Sequence, residues 1–159
     1  MVSSGYSESG LDEDTSHRWE KFAGAGNLSS GFTRLSGEST GLFFENSLDA
    51  TKSLLNQVYL SGSGVALGDV DGDGLCDIYL CGLDSSNHLY LNQGNWDFRE
   101  VAKKYGVDCP DSDSTGACLV DLDGDGDLDL IVNSVHGATR LYRNDGTGFS
   151  RATGQAFDS

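Results

Sequence analysis

Gly64-Val65-Ala66-Leu67-Gly68-Asp69-Val70-Asp71-Gly72-Asp73-Gly74-Leu75-Cys76-Asp77 opens one copy of an internal repeat. Gly116-Ala117-Cys118-Leu119-Val120-Asp121-Leu122-Asp123-Gly124-Asp125-Gly126-Asp127-Leu128-Asp129 opens the other. Aligned over residues 64–94 and 116–146 with a constant shift of 52 and no gap, 12 of 31 positions are identical. Self-similarity at such a period marks a stacked or ring-forming repeat architecture. The identities continue past the aspartates into Leu89-Tyr90-x-Asn92-x-Gly94 and Leu141-Tyr142-x-Asn144-x-Gly146. Each copy then closes on a Phe-x-charged-apolar run, at Phe98–Val101 and Phe149–Ala152.

The local patterns predict strands. Gly64 to Gly68 is short and apolar, and Asp77–Cys81 and Asp129–Val132 are apolar on both faces, as a strand packed between two layers must be. His88–Leu91 and Arg140–Arg143 follow, and Asn-x-Gly turns lead into the Phe98 and Phe149 strands. Each repeat therefore supplies about four short antiparallel strands. The expected fold is all-β, a partial β-propeller of four-stranded antiparallel blades with metal-binding loops. One blade spans 64–107 and another 108–159. Phe32-Thr33-Arg34-Leu35 echoes the closing run, so 31–63 reads as a partial blade or closing strand that includes Phe43-Phe44. Residues 1–30 read as a flexible, polar lead-in. Leu48 to Leu60 is the best candidate for a turn or two of helix.

Between the first two strands of each copy stands D-x-D-G-D-G-x-x-D. Four carboxylates in one nine-residue turn repel: a like-charge pair at 4 Å costs ~4 kcal/mol at an effective dielectric of 20. Calcium takes 6–8 oxygens with tolerant geometry, whereas magnesium demands a strict octahedron. Loop positions 1, 3, 5 and 9 supply side chains and position 7 a backbone carbonyl. The first set is Asp69, Asp71, Asp73, Leu75 (backbone) and Asp77. The second is Asp121, Asp123, Asp125, Asp127 (backbone) and Asp129. Gly74 and Gly126 stand where the chain must turn sharply. An EF-hand requires Glu at position 12, and Leu80 and Val132 stand there. Two calcium ions are expected.

The pattern G-x-x-x-x-D-x-D-G-D-G-x-x-D-[LI], then L-Y-x-N-x-G and Phe, resembles FG-GAP/VCBS repeats, the blades of integrin-α-like propellers. More narrowly, Gly41-Leu42-Phe43-Phe44-Glu45-Asn46, Gly62–Asp69 and Leu89–Asn92 resemble the N-terminal repeat region of the ASPIC/UnbV (cartilage acidic protein) family. The resemblance covers about residues 30–155. It implies a secreted or cell-surface propeller of six to eight blades, with calcium between the first two strands of a blade.

Composition narrows the partners. The 159 residues carry 25 acids against 10 bases, a net charge of −15. Such a surface excludes nucleic-acid backbone binding and repels anionic membranes. No apolar run approaches the ~18 residues of a membrane span. Hydrophobic residues at 37% are enough for a core despite 22 glycines. No signal peptide is visible at the N-terminus, which fits a cytoplasmic chain or one beginning downstream of its native start. Cys76, Cys81, Cys109 and Cys118 form no C-x-x-C pair, leaving free thiols or a Cys109–Cys118 bridge.

No catalytic motif appears around His17, His88 or His136, and no G-x-S-x-G is present. Trp19 and Trp96 could stack on a sugar, but packing is the commoner role. The first reading is a non-enzymatic binding or adhesion module for a protein or glycan, with calcium as a structural ligand. The alternatives are a fragment of a propeller-borne polysaccharide lyase or hydrolase, and a purely structural repeat segment. Two blades and a part cannot close a ring of ~4 or more. Further blades are therefore expected from a longer chain or from self-assembly.

Overall fold

Each copy of the repeat folds into its own four-stranded antiparallel sheet. The computed structural model describes residues 9–11, 18–20, 33–135 and 137–153, and the chain divides into units 1–34 and 35–159. In the first unit, β1 (Ser9–Leu11) pairs antiparallel with β2 (Arg18–Glu20), Gly10 opposite Trp19. The lead-in expected over 1–30 thus contains a strand pair, favoured by the strand propensity of Trp19.

The second unit runs α1 (Gly37–Thr40), α2 (Ala50–Leu55) and a 3-10 turn (Gln57–Ser61). Then come β3 (Val65–Gly68), β4 (Asp77–Leu80), β5 (His88–Asn92), β6 (Phe98–Glu100) and α3 (Ala102–Tyr105). The second sheet is β7 (Ser114–Val120), β8 (Asp129–Ser134), β9 (Arg140–Asn144) and β10 (Phe149–Arg151). Both sheets are meanders in chain order.

Residues 33–63 depart from the expected partial blade. They form helical turns and no strand, and neither Thr33–Leu35 nor Phe43-Phe44 pairs with a sheet; Phe32 lies outside the described residues. Local caps start the helical turns over 50–61. Asp49 accepts the Thr51 N–H at 2.6 Å, and Asn56 accepts the Val58 N–H at 3.0 Å. Side-chain oxygens at these positions satisfy the orphan amides that start each helical turn. The weak helical pattern over 48–60 is met here. The α3 turn carries no sequence signal of its own; it fills the corner after β6 and stops at Gly106, φ +68°.

The core lies between the sheets. Ala66, Tyr79 and Leu89 are cross-strand partners, and with Leu91 they pack against Leu130, Val132 and Tyr142. Burying such side chains contributes roughly 1.5–3 kcal/mol each. The close approach of Gly64 to the Gly116 backbone lets β3 meet β7: a Cβ at Gly64 would stand 2.7 Å from the Gly116 Cα. A buried polar strand of contacts crosses the same interface. Asn87 Nδ2 donates to Tyr79 Oη at 2.8 Å and to Ser114 Oγ at 3.0 Å, while Tyr79 Oη donates to the Val107 carbonyl at 2.7 Å.

The 52-residue shift exposes the packing logic. Leu119, Leu130, Val132 and Tyr142 of the second sheet face the first; their counterparts are Leu67, Ile78, Leu80 and Tyr90. The first sheet thus meets the second with one face and turns the other outward, where Val65 is 55% and Leu67 62% exposed. At the far side, the space over Gly116, counterpart of Gly64, is open.

The helical segment is tied across both sheets. Lys52 Nζ donates to the Asp84 carboxylate and, at 2.7 Å, to Asp113 Oδ1; the Tyr59 hydroxyl donates to Asp113 Oδ2 at 2.7 Å. Lys52 chiefly, then the Asp49 N–H, holds the Asp84 carboxyl below the usual carboxylate range. A depressed carboxylate stabilises above its unfolded pKa of about 3.9, and that contribution is lost as pH falls through the depressed value. Amides of residues 49–61 are therefore expected to exchange faster as pH drops from 6 to 3, after correction for intrinsic rates. Lys52→Met should show the fast regime already at pH 6. Protection that stays level across that range in the parent would refute the tie.

Candidate metal centre

The aspartate loops connect β3 to β4 and β7 to β8, at the same corner of each sheet. Glycine makes the turn: Gly72 and Gly74 have φ of +74° and +86°, and Gly124 and Gly126 of +80° and +98°. L side chains seldom adopt that region, so the D-G-D-G spacing is a backbone requirement.

Within the first loop, carboxylate oxygens of Asp69, Asp71 and Asp77 all lie within 4.8 Å of one another; in the second, those of Asp121, Asp123 and Asp125 do. Asp69 accepts the N–H groups of Gly72 and Gly74, both at 2.8 Å, and Asp121 accepts those of Gly124 and Gly126. Asp73 and Asp125 each accept the N–H two residues on, at 2.8 and 2.9 Å. The carboxylates of Asp73 and Asp129 lie outside these three-way clusters. At position 7 both side chains turn away from the loop, Leu75 over Gly94 and Asp127 over Gly146. That position could offer a metal only its carbonyl.

Position 9 has a second task. Asp77 is fully buried and accepts the Val70 N–H on Oδ2 and the Asn92 N–H on Oδ1, both at 2.8 Å. Asp129, equally buried, accepts from Leu122 at 3.1 Å and Asn144 at 2.9 Å. Burial pushes the Asp77 carboxyl up, its hydrogen bonds oppose this, and the charges of Asp71 and Asp73 add to the rise. A cation among these groups would remove that repulsion. The donor set, hard oxygens only, suits calcium.

Asn92 and Asn144, read from sequence as turn residues, brace the loops. Asn92 Nδ2 donates to the Cys76 carbonyl, and Asn144 Nδ2 donates to Leu128 in its own loop and to Val70 in the other. Their shared repeat position was the available signal. Arg143 pairs with Asp123 at 2.9 Å, while its counterpart Leu91 is buried in the core. Pairwise reading of the repeat hides that difference.

Other candidates resolve differently. All four cysteines are free thiols; Cys109 is buried with Sγ 3.1 Å from Tyr142 Oη, and Cys118 is exposed. Burial pushes the Cys81 thiol up to about 11. Trp96 is 69% exposed in the β5–β6 turn with φ +64°, so it is no packing residue. His88 is half-buried with Nδ1 3.1 Å from Tyr90 Oη; His17 and His136 lie outside the described residues. Among the described residues no helix is long and apolar enough to cross a membrane.

Comparison with known proteins agrees with this repeat architecture. Cartilage acidic protein 1 of Mus musculus is 34% identical over 84 residues, that of Homo sapiens 32% and that of Xenopus tropicalis 30%. In each case the match takes in 53% of this chain and 13% of the relative. The FG-GAP-like repeat family model matches residues 69–132 and 121–159, each match beginning at the first aspartate of a loop. With both aspartate loops, seven of the eight sheet strands (β4 to β10) and the bracing asparagines inside those matches, the chain belongs to the FG-GAP-like repeat family.

Proposed function

We propose that this chain is a calcium-stabilised, non-enzymatic segment of an extracellular β-propeller that presents its surface to a protein or glycan partner. The observation that carries the reading is the paired loops. At the same corner of two sheets, 52 residues apart, three carboxylates converge within 4.8 Å. Repulsion among them needs a counter-charge, and a bound calcium ion would supply it. Asp69, Asp71, Asp73, Asp77 and the Leu75 carbonyl would hold the first ion. Asp121, Asp123, Asp125, Asp129 and the Asp127 carbonyl would hold the second.

The role assigned to calcium is structural. Position 9 already joins each loop to the strand behind it, so an ion there would tie β3, β4 and β5 of one sheet, and β7, β8 and β9 of the other. Nine of the 25 acidic side chains stand in the two loops, and two dications would move the net charge from −15 to −11. The outward apolar face at Val65 and Leu67, and the open space over Gly116, support further blades on both sides. The family and its relatives support the extracellular setting.

Calorimetric titration of metal-stripped protein with calcium tests the reading. Two ions per chain are expected, falling to one in Asp71→Ala and one in Asp123→Ala. Absence of saturable calcium uptake by the parent would refute it.

A further inference from the structure

The end of the second sheet away from the aspartate loops holds a cavity of about 260 Å³ walled by the α3–β7 linker and by β9 and β10. It unites two of the ten cationic residues of a strongly acidic chain, Arg140 and Arg151. The register explains the meeting. Arg151 lies directly across from Tyr142, and Arg140 precedes Tyr142 by two on the same strand face. Both guanidinium groups act on the Tyr142 hydroxyl, opposing the rise that burial imposes on it.

Arg140 Nη1 is sealed from solvent and has no hydrogen-bond partner among the described residues. Native structures seldom leave a buried polar atom so, and an absent partner is one physical reason for it. The lining also carries Asp108 and Asp111, and among the described residues neither is within ion-pair distance of an arginine. Between them Cys109 holds φ +42°, one of three non-glycine residues at positive φ among those described, with its sulfur on Tyr142. Backbone strain of this kind persists where surrounding structure imposes it, often beside a ligand.

The lining has a definite chemistry. Two guanidinium forks suit a carboxylate or sulfate group. Two ionised carboxylates can only accept, so they suit hydroxyls. The volume lies just below the span of drug-sized pockets, at the scale of one small unit. We propose that this cavity binds an acidic sugar residue, its carboxylate or sulfate on Arg140 and Arg151 and its hydroxyls on Asp108 and Asp111. The proposal narrows the glycan side of the reading above and is independent of its metal side.

The test is calorimetric titration of the calcium-loaded protein with glucuronate, glucose 6-sulfate, glucose and acetate. Saturable binding of at least one acidic sugar is expected, with glucose and acetate at least tenfold weaker. Whichever acidic sugar binds tells carboxylate from sulfate. Arg140→Gln and Arg151→Gln should each weaken it tenfold or more. Arg140→Gln should melt no lower than the parent, because Nη1 gives up no protein partner. Asp111→Asn, at an exposed side chain, should weaken the sugar while leaving acetate unchanged. Three results overturn the proposal: no acidic sugar binding, acetate binding as tight as the sugars, or full affinity in the double arginine variant. Calcium-dependent melting, followed in the same samples, shows whether the metal reading stands when the sugar site falls.

Discussion

Excess chelator is expected to lower the melting temperature of this protein by about 10–20 °C relative to millimolar calcium. A ligand at 100 times its dissociation constant stabilises by ~2.7 kcal/mol, so two sites give about 5 kcal/mol. For a chain of this size each kcal/mol is worth roughly 2–4 °C. The loops supply the reason: three carboxylates within 4.8 Å in each, with Arg143 on Asp123 the one cationic partner among the described residues. Asp71→Ala and Asp123→Ala should each remove about half of the calcium-dependent shift. Melting curves that overlay with and without chelator would end the structural-calcium reading.

Asp77→Ala should destabilise the protein even in excess chelator, by about 2–5 kcal/mol. Its two oxygens accept the buried amide of Val70 and the partly buried amide of Asn92, and each orphaned donor costs ~1–3 kcal/mol. Asp71 accepts no backbone amide among the described residues, so Asp71→Ala should be nearly silent without calcium. Asp77→Asn, which retains one acceptor, should fall between. Urea unfolding of the three variants in chelator measures the difference. Equal losses in Asp71→Ala and Asp77→Ala would show that position 9 acts only through the metal.

That contrast marks how far the repeat could be read. D-x-D-G-D-G-x-x-D shows acids at fixed spacing, and it places Asp77 and Asp129 beside Asp71 and Asp123 as equals. Nothing in the spacing shows that position 9 alone is buried, since burial comes from the sheet packed behind the loop. The eight strands of the two copies were legible because each side-chain pattern repeats and each turn carries its own glycine or asparagine. The 33–63 region was misread because Phe32-Thr33-Arg34-Leu35 and Phe43-Phe44 resemble strands in composition. Thr33–Leu35 and Phe43-Phe44 instead lie in irregular backbone, and caps at Asp49 and Asn56 start the helical turns that follow them.

By itself the sequence determined the repeat, its strands, the sharp loop turns and the acids within them. These are local properties, set by alternation of apolar residues and by the conformations glycine permits. Only the tertiary structure decided which equivalent residues ceased to be equivalent. Leu67 and Leu119 share a repeat position, yet Leu67 is exposed while Leu119 packs on the core, because a sheet covers only one of them. Leu91 is buried while its counterpart Arg143 holds Asp123. Arg140, Arg151, Asp108 and Asp111 come to line one cavity only when β9, β10 and the α3–β7 linker close around it. A repeat specifies its own unit, and the surfaces between units acquire their chemistry from whatever packs beside them.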